Sequence, residues 1–211
     1  MNAVFFFDLD TQRDFVLSSG ALPAAGAERL VPKFRRLFDF ARKTGASVVS
    51  TVHAHPVAGA DLHEDAPHCL VGSEGQRKLD DTLLRRPLVL ENRPIDLNLV
   101  DAVRKHQQIV IERERWDPFS NPVLEKLLRA LPAHAFLFGL PAEHTVRLAA
   151  LGLRQRGLKA AVLSDMVMPL EPKGAEAAER EMRRAGVEFV TLETLLSVYS
   201  GTLWTPHGGL R

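Results

Sequence analysis

The feature that most constrains the fold of this chain is a regular alternation of short apolar segments with longer amphipathic ones. The short apolar segments are Val4–Leu9, Ser47–Thr51, Gln108–Ile111, Ala135–Phe138, Ala160–Leu163 and Glu188–Thr191. The amphipathic segments, in which apolar residues recur every three or four positions, are Ala27–Lys43, Asn121–Leu131, Glu143–Arg156 and Gly174–Ala185. Because strands that alternate with helices form parallel sheets covered by helices, we predict an α/β fold with three layers (α/β/α) around a mostly parallel, six-stranded sheet.

The chain is predicted to form a single domain over residues 1–211, since no linker, repeat or low-complexity tract divides it. Hydrophobic residues make up 45% of the chain, which is enough for a sizeable core. Gly45, Gly157 and Gly186 follow helix-like segments and are typical stop signals. The stretch from His53 to Lys105 lacks the strand–helix rhythm and contains several prolines and glycines, so we expect functional loops with short helices there.

Charge and cysteine content exclude several classes of protein. Lys and Arg number 27 against 26 Asp and Glu, with no basic run, so we expect neither a nucleic-acid partner nor a membrane-surface partner. No apolar run approaches the ~20 residues of a membrane span, and the start of the chain lacks the features of a signal peptide. The single cysteine, Cys69, excludes an intrachain disulfide framework, and we interpret it as a small buried apolar residue. These features predict a cytoplasmic protein.

The first catalytic candidate is Asp10, which opens the stretch Asp10–Phe15 directly after the first apolar segment. A carboxylate at the carboxyl end of a parallel strand lies where open α/β sheets place their ligand crevice. An aspartate at a strand exit is equally compatible with a turn in which it bonds local backbone groups. Arg113 and Arg115 follow a predicted central strand, so either can hold an anionic group or Asp10 in the crevice, but alternating charges are also typical of a solvated rim.

A further candidate is the turn between a predicted strand and a predicted helix in the stretch Phe138–Val146. This turn passes through Leu140 and Pro141 into a helix that contains His144 and Thr145. Helix N-termini present free N–H groups that stabilise developing negative charge, so Thr145 in the first turn would lie beside an oxyanion site. The alternative is an ordinary strand-to-helix turn.

Four of the eight histidines, His53, His55, His63 and His68, fall within sixteen residues. A His-x-His pair at a strand exit projects both rings from one face of the strand, which suits a transition metal, and the following loop can return His63 or His68. Histidines in loops are also often simply polar, exposed residues. The spacing leaves both interpretations open.

Taken in order, these segments resemble the isochorismatase-like superfamily of hydrolases, which includes nicotinamidases, N-carbamoylsarcosine amidases and isochorismatases. Asp10–Phe15 resembles the Asp-x-Gln-x-Asp-Phe opening of that superfamily, Pro67–Gly75 resembles its Pro-x-His-Cys-x-x-Gly-[ST]-x-Gly segment, and Asn121–Pro122 follows Phe119 as in many members. The resemblance covers nearly the whole chain. It implies a Rossmann-like α/β domain, a small-molecule substrate and a homo-oligomer.

Carried over residue by residue, the resemblance makes Asp10 the catalytic carboxylate, and it places Arg113 at the family's lysine position and Thr145 at its nucleophilic cysteine position. A threonine hydroxyl is a weak nucleophile unless a neighbouring base activates it, so the conventional thiol amidase mechanism is not possible here. Arginine stabilises negative charge but does not give up its proton under working conditions. The family's strand-to-helix loop commonly carries a cis peptide bond, so we predict a cis Leu140–Pro141 bond.

The resemblance also concerns the histidines. Metal-binding nicotinamidases use an Asp-x-His pair and two later histidines. In this chain His53 occupies the position of the aspartate, and His55 matches the histidine of the pair. Of the two later positions, His68 matches the last, and His63 is a looser candidate for the one before it. Imidazole in place of a carboxylate keeps a ligand, but a neutral one. The resemblance thus implies either a divalent transition metal such as Zn, Mn or Fe, or no cofactor.

Three hypotheses follow, and fold alone does not choose among them. In the first, which we favour, the chain hydrolyses a small molecule of the amide, carbamate or vinyl-ether class. Asp10 is then the general acid or base, Arg113 stabilises the anion, and Thr145 or a water molecule attacks. In the second, a metal-bound water at the histidine cluster performs the hydrolysis. In the third, the protein is a catalytically inactive ligand-binding or interaction member of the family.

Overall fold

The computed structural model of the chain describes residues 4–57 and 67–200. In this part of the chain seven strands form one sheet: β1 (Phe5–Leu9), β2 (Ser47–His53), β3 (Leu88–Leu90), β4 (Gln108–Arg113), β5 (His134–Gly139), β6 (Lys159–Val167) and β7 (Glu188–Val190). Their spatial order is β3-β4-β2-β1-β5-β6-β7, and all neighbouring pairs are parallel. The expected α/β fold with a parallel sheet is confirmed.

The sheet contains one strand more than the six predicted. All six predicted strands are present, with ends that shift by at most four residues. The additional strand, β3, lies at the edge of the sheet beside β4, inside the stretch where loops and short helices were expected. It is three residues long and only Leu90 is buried, so it lacks the apolar run by which a strand is recognised.

Helices cover both faces of the sheet. They are α1 (Arg13–Val16), α2 (Val31–Thr44), α3 (Leu99–Lys105), α4 (Leu124–Leu128), α5 (Arg147–Gln155), α6 (Pro172–Arg184) and α7 (Leu192–Ser200). The four predicted amphipathic segments correspond to α2, α4, α5 and α6, and α3 is a short helix of the kind expected between His53 and Lys105. The sequence pattern did not indicate α1 or α7. A 3₁₀ turn, Ala27–Leu30, precedes α2, and a π-helical turn, Ala142–Val146, precedes α5. None of the described helices is long and apolar enough to cross a membrane.

Strand β1 separates two hydrophobic cores. Because successive side chains of a strand point to opposite faces, Phe5 and Phe7 pack in the core beneath α3, α4, α5 and α6, while Phe6 packs in the core beneath α2 and α7. Complete burial of one such aromatic side chain contributes about 1.5–3 kcal/mol. The burial of β1 on both faces fixes it at the centre of the molecule, between β2 and β5.

The topology brings the carboxyl ends of four neighbouring strands to one place. Asp10 follows β1, His53 ends β2 and Arg113 ends β4, with His53 and Arg113 directly opposite each other in the register. Gly139 ends β5 and leads through a short turn to Thr145. Residues that are distant in the sequence therefore meet at the edge where parallel sheets bind ligands.

Gly139 allows β5 to run close beside the end of β1. Its φ of 116° lies in the left-handed region, which side-chain-bearing residues rarely adopt. A Cβ atom at this position would collide with the carbonyl oxygen of Leu9, the residue before Asp10. The glycine is therefore needed both for its backbone conformation and for the close approach of the two strands.

We expect Gly139→Ala to lower the free energy of unfolding by about 3 kcal/mol or more, because backbone strain and overpacking add together. Gly157→Ala is the matched control, since Gly157 also has a positive φ, 76°, but a Cβ there would meet no atom within 4 Å. It should cost only about 1–2 kcal/mol. Urea unfolding of both variants measures the difference, and equal losses would show that the contact with Leu9 is unimportant.

Candidate functional site

Asp10 leaves β1 with its backbone in a left-handed conformation, at a φ of 52°. Its Oδ1 atom accepts a hydrogen bond of 2.7 Å from the hydroxyl of Thr51, and its Oδ2 atom faces Arg113 and Thr145. The residue has no exposed surface. The carboxylate is therefore directed into the crevice at the sheet edge, and it bonds side chains that are distant in the sequence. This arrangement agrees with the interpretation of Asp10 as a crevice carboxylate and not with a turn in which it bonds local backbone groups.

Arg113 lies at the centre of the site and is completely buried. Its Nη2 atom donates to Asp10 Oδ2 and, over 2.9 Å, to the hydroxyl of Thr145. Its Nη1 atom donates to His53 Nε2 over 2.9 Å and to the carbonyl oxygen of Arg115. Burial lowers the pKa of Arg113, and the Asp10 carboxylate acts in the opposite direction. The expected ion pair with Asp10 is present, and Arg115 contributes only its backbone.

Thr145 closes a triangle of hydrogen bonds with the other two side chains. Its hydroxyl accepts from Arg113 and donates to Asp10 Oδ2 over 2.9 Å. The residue lies in the π-helical turn before α5 and is fully buried. The carboxylate is thus placed to receive the proton of the threonine hydroxyl, which is the arrangement that a nucleophile and its base require.

The strand-to-helix loop contains the predicted cis Leu140–Pro141 bond. The Leu140 N–H group donates to the carbonyl oxygen of Leu9 over 2.8 Å, and proline has no N–H group. Neither residue therefore offers a backbone donor to an oxyanion. The side chain of His144 stacks on the indole ring of Trp116.

His53, His55 and His68 gather beside Asp10. One potential ligand atom from each lies within 4.8 Å of the others, and His53 Nε2 is 3.6 Å from Asp10 Oδ2. The three side chains therefore form one cluster, as the interpretation of the pattern as a metal site requires. The fourth candidate, His63, lies outside the described residues.

The cluster fits a transition metal in number and spacing, but the protonation of His53 does not fit. A metal ligand must present a lone pair, and a neutral imidazole has only one. His53 Nε2 faces a guanidinium donor, so its lone pair is used there and the proton is carried by Nδ1. That Nδ1 atom is 2.9 Å from His55 Nε2, to which it donates. In this arrangement His53 has no lone pair to offer a metal.

Four aromatic rings pack around Trp116 beside the site, those of Phe15, His53, His68 and His144. We call this cluster the aromatic cover. The indole ring of Trp116 stacks between the imidazoles of His68 and His144, with interplanar angles of 13° and 21°. Phe15 and His53 also lie against it, with ring centroids 5.8 and 4.6 Å away. Trp116 was not among the residues predicted from the sequence, where its one signal is its position three residues after Arg113.

Two residues of the opening motif have structural roles. Gln12 binds the end of β2 through both amide atoms, accepting from His53 N–H and donating to the His53 carbonyl oxygen.

The Asp14 carboxylate accepts from the N–H groups of Cys69 and Ala21. A Cβ atom on Gly75 would collide with this carboxylate, which explains the glycine in the second motif. Burial raises the pKa of the Cys69 thiol, in keeping with an unreactive buried cysteine.

A second buried ion pair supports the strand exit. Lys78 Nζ lies 2.6 Å from Asp8 Oδ2 and 2.7 Å from the hydroxyl of Thr11, the residue after Asp10. The hydroxyl of Ser50 also donates to Asp8. This pair was not predicted from the sequence, in which the one indication of it is that Asp8 lies inside the apolar strand β1. The pair anchors the backbone before and after Asp10, through Asp8 and Thr11.

Comparison with known proteins agrees with this geometry. A family model described as Isochorismatase domain matches residues 4–194. The chain belongs to the isochorismatase family. No curated protein shows significant similarity to it.

Solved structures with the same fold include three hydrolases. A zinc complex of a Pyrococcus horikoshii pyrazinamidase is 23% identical, with a TM-score of 0.70 over 89% of this chain and 98% of its own. An isochorismatase-like hydrolase of Alkaliphilus metalliredigens is 16% identical, with a TM-score of 0.76 over 93% and 99%. A nicotinamidase of Bacillus subtilis is 20% identical, with a TM-score of 0.69 over 90% and 99%. At these identities the likeness establishes the fold.

We expect His53 to make the stability of the protein depend on pH. Burial and, after it, the charge of Arg113 hold the pKa of His53 well below its usual value of 6.5. Below about pH 6.5 the unfolded chain binds a proton that the folded chain does not, so stability falls as the pH falls. His53→Gln keeps an acceptor for Arg113 but does not titrate.

Urea unfolding at several pH values checks this expectation. The free energy of unfolding of the wild type should fall more steeply than that of His53→Gln, by about 1.4 kcal/mol per pH unit, as the pH decreases below about 6.5. Parallel curves for the two proteins would mean that His53 is protonated in the folded state.

Proposed function

We propose that this chain is a hydrolase of a small molecule, with Asp10 as its general acid or base. The observation that carries the proposal is the hydrogen bond from the Thr145 hydroxyl to Asp10 Oδ2, 2.9 Å long, beside a fixed guanidinium. A base, a hydroxyl and a cation that stabilises negative charge are three parts of an acyl-transfer site. Membership of the isochorismatase family supports the same reaction type.

In the proposed mechanism, Asp10 removes a proton as an oxygen nucleophile attacks the substrate. The nucleophile is either the Thr145 hydroxyl, which already donates to Asp10, or a water molecule in its place. Arg113 stabilises the negative charge that develops on the substrate oxygen, and Asp10 returns the proton to the leaving group. If Thr145 attacks, water then hydrolyses the ester that it forms. For a vinyl ether, the protonated form of Asp10 acts first as the acid, and it recovers its proton from the water molecule that adds to the substrate.

The charge balance of the site favours an uncharged substrate group. The negative charge of Asp10 and the positive charge of Arg113 cancel within the buried site. A substrate group with a net charge would have no charged partner in this buried space, and burial of an unpaired charge is unfavourable in free energy. Neutral amides, carbamates and vinyl ethers meet this requirement. The structural neighbours named as a pyrazinamidase and a nicotinamidase support the amide class. The homo-oligomer and the cytoplasmic location remain predictions.

We expect Asp10→Asn to lower kcat at least about 100-fold toward the best substrate from a panel of amides, carbamates and vinyl ethers, because the asparagine cannot take up the proton. Thr145→Val distinguishes the nucleophiles. A threonine nucleophile predicts loss of activity and, in the wild type, a covalent mass increase during turnover. An attacking water predicts that Thr145→Val keeps much of the activity. Equal activity in the wild type and Asp10→Asn would contradict the proposal.

Substrate access requires movement of the aromatic cover. Asp10, Arg113 and Thr145 have no exposed surface, and the Trp116 ring packs against His53, which is bonded to Arg113. We expect Trp116→Ala to raise the ratio of kcat/KM for a bulky substrate to that for a small one by about tenfold, since removing the ring widens the entrance. Trp116→Phe, which keeps a planar ring, is the control. An unchanged ratio in Trp116→Ala would mean that substrates enter by another route.

A second candidate function is binding without catalysis. It is favoured by the fact that Asp10, Arg113 and Thr145 satisfy one another in a closed site. Such a protein would bind small molecules that stabilise it against unfolding but would release them unchanged. The substrate panel separates the two functions, because thermal stabilisation by a compound that is never hydrolysed favours binding alone.

A further inference from the structure

We infer that Arg113 takes the place of a metal ion at the histidine cluster, so that His53, His55 and His68 do not hold a transition metal while Arg113 is bonded to His53. This inference goes beyond the proposed function and does not depend on it. It differs from what the family resemblance implies, and from the zinc complex of the Pyrococcus horikoshii pyrazinamidase.

The first step is the direction of the hydrogen bonds. A guanidinium has donors and no acceptor, so the 2.9 Å contact between Arg113 Nη1 and His53 Nε2 requires a lone pair on Nε2. A neutral imidazole then carries its proton on Nδ1. His53 Nδ1 is 2.9 Å from His55 Nε2, so it donates there and occupies the lone pair of His55 as well. His53 Nδ1 and His55 Nε2 are therefore bonded to each other, and neither atom has a lone pair left to bind a metal.

The second step is the fixed position of Arg113. Besides His53, the guanidinium bonds the Asp10 carboxylate, the Thr145 hydroxyl and the carbonyl oxygen of Arg115, and the side chain has no exposed surface. Turning it away from His53 would strain or break these bonds and leave Asp10 without its charge partner. The fork of two nitrogens is what allows one side chain to reach Asp10 and His53 together.

The third step is charge. A divalent ion at His53 Nδ1 would be separated from the guanidinium by one imidazole ring, in a buried setting where like charges repel strongly. The three described candidate ligands are all imidazoles, and an imidazole brings no negative charge to offset this repulsion. The Asp10 carboxylate is already paired with Arg113.

Arg113→Lys tests the inference directly. Lysine keeps a positive charge for Asp10, but its single, shorter-reaching amine cannot bond Asp10 and His53 together. His53 Nε2 is therefore released, and the positive charge lies farther from the histidine cluster. Arg115→Lys makes the same change at an exposed arginine whose side chain is outside the site, and is the matched control. Each untagged protein is dialysed against zinc, freed of unbound metal and analysed for zinc per chain and for its melting temperature with and without zinc.

We expect no stoichiometric zinc and no zinc-dependent melting temperature for the wild type and Arg115→Lys. Arg113→Lys should bind one zinc per chain and melt at a higher temperature with zinc, and adding His55→Ala should abolish both effects. One zinc per chain in the wild type that is lost in His53→Ala would overturn the inference, as would an Arg113→Lys protein that folds and binds none.

The wild-type protein provides a second readout should Arg113→Lys not fold. Nitrogen-15 NMR of the imidazole rings distinguishes the tautomers, and we expect His53 to carry its proton on Nδ1, with signals unchanged by added zinc. A proton on Nε2, or a shift of the His53 ring signals on addition of zinc, would contradict the inference. Both measurements are independent of hydrolysis, so their outcome does not decide the proposed function.

Discussion

The interaction on which the site depends is the set of hydrogen bonds made by the buried Arg113 guanidinium. It joins the ends of three strands and a turn: Asp10 after β1, His53 at the end of β2, its own position at the end of β4, and Thr145 after β5. Removing one partner from a buried ion pair typically costs about 3–5 kcal/mol, because the other charge is left unpaired. The guanidinium thus fixes the geometry of the site and the charge state of its neighbours.

Much of this architecture follows from the sequence by simple physical rules. Continuous apolar segments such as the one around β1 are buried on both faces, so their pattern identifies them as strands and places Asp10 at the ligand-binding edge. The same rules fail for β3, whose three residues are too few to show a pattern. The π-helical turn before α5 likewise has no simple periodic signal.

The residues of the site were predictable as a set, but their contacts were not. Asp10 and Thr145 could be proposed from their positions after strands, and the family resemblance selected Arg113 over Arg115. The position of the Trp116 ring, in contrast, depends on packing across segments that the sequence does not place relative to one another. The His-x-His pattern was compatible both with a metal site and with polar, exposed histidines in a loop. The protonation of His53 is set by its contact with Arg113, which only the three-dimensional arrangement reveals.

The most direct test of this account is a crystal structure of the wild-type protein grown in the presence of zinc, with anomalous diffraction measured at the zinc edge. The account predicts that Arg113 bonds Asp10, Thr145 and His53 together, and that no anomalous peak lies among His53, His55 and His68. A zinc ion bonded to His53, with the guanidinium turned away from it, would contradict the central role assigned to Arg113.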